Sequence, residues 1–359
     1  MEFLTEYGLF LAKTLTLLLA LILVLAIVGS AAGRRRQEPA GRGNIVISKI
    51  NEEIDELKED IREAILEPEV LKEAEKAKKK EEKLRKKQKD TAAAEDDGPP
   101  RVFVLDFDGD VKASEVENLR HCITAVLAVA RPGRDRVMLR LESPGGMVHA
   151  YGLAASQLVR LRTQGVPLTI CVDKVAASGG YMMACVANEL LAAPFAYIGS
   201  IGVLVQLPNV YRLLKDNKVD VEMITAGEYK RTLTTFGENT DKARAKVQEE
   251  VDEMHRLFKA FIGEYRPSMS LEPVATGEVW TGQQALERGL VDGLATSDEW
   301  IVARCAEADV FHVTWEEKKP LKDRLAEMFE GSLSAVLSRT VDRRLEDLLQ
   351  RADKEKFYF

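Results

Sequence analysis

Residues 172–191 read VDKVAASGGYMMACVANELL. The stretch begins at the end of an apolar, β-branched run (PLTICVD), crosses a turn of small residues, and continues as an apolar stretch of helical pattern. Ser178 stands at the junction, with no histidine nearby. The residues allow three readings: a buried packing segment, a membrane span, or a nucleophile at the mouth of a helix. From Val175 to Leu207 the chain is apolar enough to suggest a span. Asn188, Glu189, Pro194, several glycines and the alternation of helical and strand patterns argue instead for a buried core around a site.

Working outward, the same alternation recurs. RVFVLDF from Arg101 is a strand; SEVENLRHCITAVLAVA is a helix, with Ser114 and Glu117 at capping-box spacing. DRVMLRLES is a second strand, PGG a turn, and Met147 to Gln164 a second helix. YIGSIGVLVQL adds a further β-branched run. Strand and helix in strict alternation predict an α/β domain with largely parallel pairing and right-handed crossovers.

The 359 residues, 46% hydrophobic and 30% charged, suffice for one substantial core with appendages. The net charge of −7 gives no reason to expect a nucleic-acid partner. The four cysteines form no CxxC pair, so neither a zinc site nor a disulfide framework is expected; no other metal and no cofactor is implied.

Before the domain, Leu9 to Val28 offers about 20 largely apolar residues, enough to cross a bilayer. Arg34–Arg36 follow rather than precede it, which is the pattern of an uncleaved anchor and not of a cleaved signal peptide. The positive-inside rule then puts the remainder of the chain in the cytoplasm. Residues 37–46 read as a loop. Ile47, Ile50, Ile54, Leu57, Ile61 and Ile65 follow the 3-4 spacing of an amphipathic helix or short coiled coil, interrupted at Pro68. A Lys/Glu-rich segment centred on KAKKKEEKLRKKQK reads as a solvated helix, or as a basic segment on anionic lipid, and TAAAEDDGPP as a linker. Leu321 to Leu349 is amphipathic and suits packing, subunit contact or a membrane surface; the terminal FYF has no physical account. The expected layout is an anchor over 1–33, a charged region and linker over 34–100, a folded domain over 101–300, and a strand with an amphipathic helix over 301–359.

The chemistry concentrates in two glycine turns. Pro144-Gly145-Gly146 follows a strand and opens a helix, so its backbone N–H groups are free to hold an oxyanion. Ser178-Gly179-Gly180 repeats the arrangement, and a helix N-terminus there favours negative charge. An N-cap is the plain explanation for Ser178. A nucleophile would need a base. Of the four histidines only His149 lies beside a glycine turn. The alternative is a neutral lysine, its pKa lowered by burial among small residues; Lys230, in MITAGEYKRTLTTFGENT after the β run VDVEMITAG, is the candidate.

SPGG, ASGGYMMA, YIGSIGV, GEYKRTLTTFGENT and VWTGQQALERGLVDGL occur in this order over residues 101–300. Together they resemble the signal peptide peptidase SppA family of Ser-Lys proteases, in the branch with a long charged region after one membrane anchor. The resemblance implies Ser178 as nucleophile, Lys230 as general base and Ser200 of the IGS motif as the hydroxyl that orients the lysine. It implies an oxyanion turn at Gly145 and Gly146, joined by Gly179. It implies a ClpP/crotonase-like spiral of ββα units and, with one set of motifs, a homo-oligomeric ring. It implies polypeptide substrates (signal-peptide remnants, membrane or misfolded envelope proteins) and the bacterial inner membrane, with the catalytic domain on the periplasmic side, against the charge rule. WTGQQALERGLVDGL is assigned to packing. Three other functions share some of these features. A crotonase-like acyl-CoA enzyme would use the same two oxyanion turns; a non-catalytic membrane scaffold would not need Ser178 and Lys230; an intramembrane protease would need Ser178 inside a span.

Overall fold

RVFVLDFD alternates two apolar sets, and each set finds its own core. The computed structural model describes residues 8–9, 13–16, 43–66 and 98–316. Its larger sheet has seven strands, in spatial order β1 (Asn44–Lys49), β10 (Asp309–Glu316), β2 (Arg101–Asp108), β3 (Arg136–Glu142), β4 (Leu168–Val172), β6 (Glu189–Ala192) and β9 (Gly293–Leu294). Every pairing from β10 to β9 is parallel. Phe103, Leu105 and Phe107 of β2, with Leu139 of β3 and Ile170 of β4, face the main core. Val102 and Val104, with Met138 and Cys171, face a smaller one. Parallel strands need apolar cover on both sides, which is why these runs are apolar almost throughout.

The main core is closed by α2 (Val116–Val129) and α3 (Val148–Thr163), through residues such as Ile123, Tyr151 and Leu158. The smaller core is covered by Trp300 and Ile301 of α8 (Ser297–Cys305). Each such buried side chain contributes ~1.5–3 kcal/mol. A three-stranded sheet, β5 (Val175–Ala177), β7 (Tyr197–Gly199) and β8 (Val279–Thr281), stands beside the large one. Twice the chain leaves the large sheet and immediately enters the small one, from β4 to β5 and from β6 to β7. Further helices among residues 43–66 and 98–316 are α1 (Ile50–Ile65), α4 (Gly179–Ala184), α5 (Tyr211–Asp216), α6 (Asp241–Tyr265) and α7 (Gly282–Glu287).

Several local expectations shift. Ser114 does not cap α2: its N–H and hydroxyl both donate to the Asp110 carboxylate, and the helix begins only at Val116. Ile47 belongs to β1, not to a helix, because residues 44–49 add an edge strand beside β10; the helical stripe starts at Ile50. Of YIGSIGVLVQL only Tyr197–Gly199 is strand, and the run VDVEMITAG forms no strand. Asn51 fixes the β1–α1 junction. Its side chain donates to the carbonyls of Cys305 and Ala308, both at 3.0 Å, and accepts from Val310 N–H at 2.7 Å. Among the described residues no helix is long and apolar enough to cross a membrane. The expected anchor lies outside the described residues except for a few near its start, and the Lys/Glu-rich and 321–349 segments lie outside them altogether.

Candidate active site

Both glycine turns lie at the carboxyl ends of parallel strands, where α/β sheets place their sites. β3 ends at Glu142 and leads into Ser143-Pro144-Gly145-Gly146; β4 ends at Val172 and leads through β5 to Ser178. The two segments are laced together: Ser143 N–H donates to Val175 O at 2.8 Å and Ala177 N–H to Ser143 O at 3.0 Å.

Ser178 has φ 52° and ψ −117°, and its hydroxyl makes no capping bond to α4. The N-cap explanation therefore does not account for it. A non-glycine residue in this region costs ~1–3 kcal/mol, and such strain persists only where the surroundings impose it. Here the backbone is held on both sides. Ser178 N–H donates to Gly199 O at 2.8 Å, and Ser178 O accepts from Met182 N–H at 3.0 Å. Ser178 is only partly buried at the helix entrance.

In the facing turn, Gly145 N–H is taken by Ser143 Oγ at 3.1 Å and Met147 N–H by Val111 O at 2.8 Å. Gly146 N–H, between them, has no partner among the described residues, nor has Gly179 N–H in the first turn of α4. Gly145 has a turn-making role instead. Its φ is +87°, and a Cβ there would lie 2.6 Å from Ala177 O and 2.8 Å from Ser178 Cβ. A small cavity of about 20 Å³ adjoins Ser178, walled by Val148, Met182, Val203, Met254 and Phe258. The last two come from α6, which buries Phe258 and Ile262 and was not singled out by the sequence reading.

Ser200 also has positive φ, 51°, and donates its N–H to Glu278 O at 2.7 Å, one residue from the carbonyl that holds Ser178. Lys230 is exposed. It lines a separate cavity of about 930 Å³ with Val221, Met223, Ile224 and Phe236, and makes no hydrogen bond with Ser178 among the described residues. His149 is likewise exposed and does not border the Ser178 cavity.

Residues 2–158 match the family Peptidase family S49 N-terminal, and residues 160–310 match Peptidase family S49. The chain is 47% identical over 353 residues to a Probable protease SohB of Haemophilus influenzae, covering 97% of this chain and 99% of that protein. This chain belongs to peptidase family S49. A Probable protease SohB of Buchnera aphidicola is 51% identical over 66% of this chain and 70% of its own. The more distant Protease 4 of Salmonella typhi is 27% identical over 66% of this chain but only 38% of its own length. The S49 chain is thus of the SohB type and a serine peptidase.

The C-terminal motif of this S49 peptidase is packed as the sequence suggested. Thr281 and Gln284 form a reciprocal capping box at α7, and Asp292 pairs with Arg266 at 2.8 Å while accepting from Leu190 N–H.

Proposed function

We propose that this peptidase hydrolyses peptide bonds through Ser178 and Lys230 by way of an acyl-enzyme. Lys230, covered by a neighbouring copy in the assembled enzyme, takes the hydroxyl proton as Ser178 Oγ attacks the carbonyl, and the N–H groups of Gly146 and Gly179 receive the oxyanion. Protonated Lys230 donates to the leaving amine and then, neutral again, activates the water that releases the acyl group. Ser200 orients the amine by hydrogen bonding without fixing its charge, as a carboxylate would. The observation that carries the reading is the strained Ser178, its hydroxyl unspent on capping, which lines one cavity with Gly146 and Gly179, whose N–H groups are unpartnered among the described residues.

The exposed Lys230 and its separate cavity support a dyad completed by assembly: the lysine that serves one Ser178 comes from a neighbouring copy in a ring. The segment that bears Lys230 is rich in exposed apolar residues, Leu204, Leu213 and Ile224 among them, as a subunit contact requires. The alternation between large and small sheets is read as turns of a ββα spiral. Substrates are extended polypeptide segments with apolar side chains, in keeping with the apolar residues beside Ser178 and with an enzyme anchored in the bacterial inner membrane by residues 1–33. Purified protein should be labelled at Ser178 by a fluorophosphonate and should cleave casein. Ser178→Ala and Lys230→Ala should each abolish cleavage, and activity persisting in either overturns the dyad.

A further inference from the structure

Beneath the two oxyanion donors lies a pair of buried hydroxyls that no step of the mechanism uses. Ser143 and Tyr151 are both fully buried. Their hydroxyl oxygens are 2.6 Å apart, and Tyr151 Oη lies 2.7 Å from Asp110 O. A carbonyl cannot donate, so the one phenolic proton goes to Asp110 O. Ser143 is then the donor to Tyr151, and its oxygen is left to accept Gly145 N–H. The direction of all three hydrogen bonds is fixed by chemistry: Gly145 N–H to Ser143, Ser143 to Tyr151, Tyr151 to Asp110.

This relay touches both halves of the oxyanion site. On one side it holds the N–H of Gly145, just before Gly146, while Val111 O, next to Asp110 in the chain, holds the N–H of Met147, just after it. Gly146 N–H is thereby suspended between two tied donors. On the other side, the Tyr151 ring is the floor under Gly179, where a Cβ would lie 2.4 Å from Cγ of the ring. Gly180 likewise rests on Ser143, a Cβ there falling 2.5 Å from Ser143 O. Gly109 completes the enclosure; a Cβ at that position would sit 2.4 Å from Ser143 Oγ and 2.6 Å from Tyr151 Oη.

We infer that Ser143 and Tyr151 are positioning residues: their hydroxyl relay sets the Gly146 and Gly179 N–H groups at the spacing that the tetrahedral oxyanion needs. The inference rests on the Ser178 reading above. A donor misplaced by a fraction of an ångström loses mainly transition-state binding, so the deficit belongs in kcat and not in KM.

The test compares Tyr151→Phe and Ser143→Ala with a control, Tyr181→Phe. Tyr181 is an equally buried tyrosine whose hydroxyl donates to Leu290 O at 2.8 Å, away from the turn. Thermal unfolding, peptide-cleavage kinetics, fluorophosphonate labelling and affinity for a peptide aldehyde, which forms a tetrahedral adduct on serine, are measured on the full chain. Tyr151→Phe and Ser143→Ala should lower kcat and the labelling rate by about 10- to 100-fold, part of the loss that follows removal of a whole oxyanion donor. Aldehyde affinity should fall in parallel, with KM changed by no more than about twofold. Tyr181→Phe should match their thermal destabilisation with kcat unaltered. Folded Tyr151→Phe with kcat and labelling within about twofold of the parent, or a control that loses kcat equally, overturns the relay. Parent protein that is not labelled at Ser178 overturns the Ser178 reading itself, and the relay with it.

Discussion

The backbone N–H of Ser178 donates to the carbonyl of Gly199 at 2.8 Å. This bond ties the nucleophile segment to the IGS motif and places two positive-φ serines, Ser178 and Ser200, on either side of one peptide carbonyl. Gly199 itself has φ +110°, and a Cβ there would approach Trp280 Cδ1 to 3.0 Å and Glu278 O to 3.1 Å. Gly199→Ala should displace the carbonyl that holds Ser178. Fluorophosphonate labelling of Ser178 should slow by about tenfold or more, and circular dichroism should show the fold retained.

Gly145 offers a sharper version of the same argument. Alanine there meets fixed backbone, not a side chain that can swing aside, and φ +87° is itself unfavourable to it. Gly145→Ala should cost ~1–3 kcal/mol in stability and reduce kcat by about 100-fold or more, measured by denaturant unfolding and peptide cleavage.

Much of the α/β layout is legible in the sequence. The strand RVFVLDF, the two strand–glycine–helix turns and the alternation of elements point to an α/β domain, and the family resemblance implies that Ser178 and Gly146 belong to one site. What escaped reading depended on neighbours far along the chain. Residues 44–49 form a strand because β10 offers an edge, and nothing within NIVISK announces that. VDVEMITAG has strand composition but no partner strand among the described residues. Tyr151 is, in the sequence, one position of the Met147–Gln164 helix; the contacts of its hydroxyl with Asp110 and Ser143 arise only in the fold. The motif match paired Lys230 with Ser178, whereas the two side chains border different cavities.

That separation yields a direct test of the assembled dyad. Ser178→Ala retains Lys230 and Lys230→Ala retains Ser178. If the pair forms between copies, mixing the two inactive variants, with subunit exchange, should recover peptide cleavage that neither shows alone. No recovery from a mixture that has verifiably exchanged would place both groups of the dyad on one chain.

The cavity wall makes a prediction about selectivity. Met254 reaches the Ser178 cavity from α6 and is only partly buried. Met254→Ala should widen the space and shift preference toward larger apolar side chains at the cleaved position, by about 10-fold or more in relative kcat/KM. The readout is a peptide library varied at that position.

Acid stability depends on a charged cluster on the opposite face of the sheet from Tyr151. Asp106 of β2 accepts from Arg140 at 2.5 Å and contacts His312 Nε2 at 2.6 Å. Burial alone would raise its pKa, but the hydrogen bonds from His312 and Arg140 outweigh that and hold it at about 2, below the ordinary 3.8. Because the folded-state value is the lower one, ionised Asp106 stabilises the fold fully above the unfolded-state pKa. The contribution declines as pH falls through 3.8 and is gone once pH passes below about 2. Asp106→Asn removes the titration. Its unfolding free energy should therefore lie below that of the parent by a constant amount above pH ~5, and the two curves should converge toward pH ~2. Equal stability at neutral pH, or a gap that widens on acidification, would show that the cluster of Asp106, Arg140 and His312 does not act in this way.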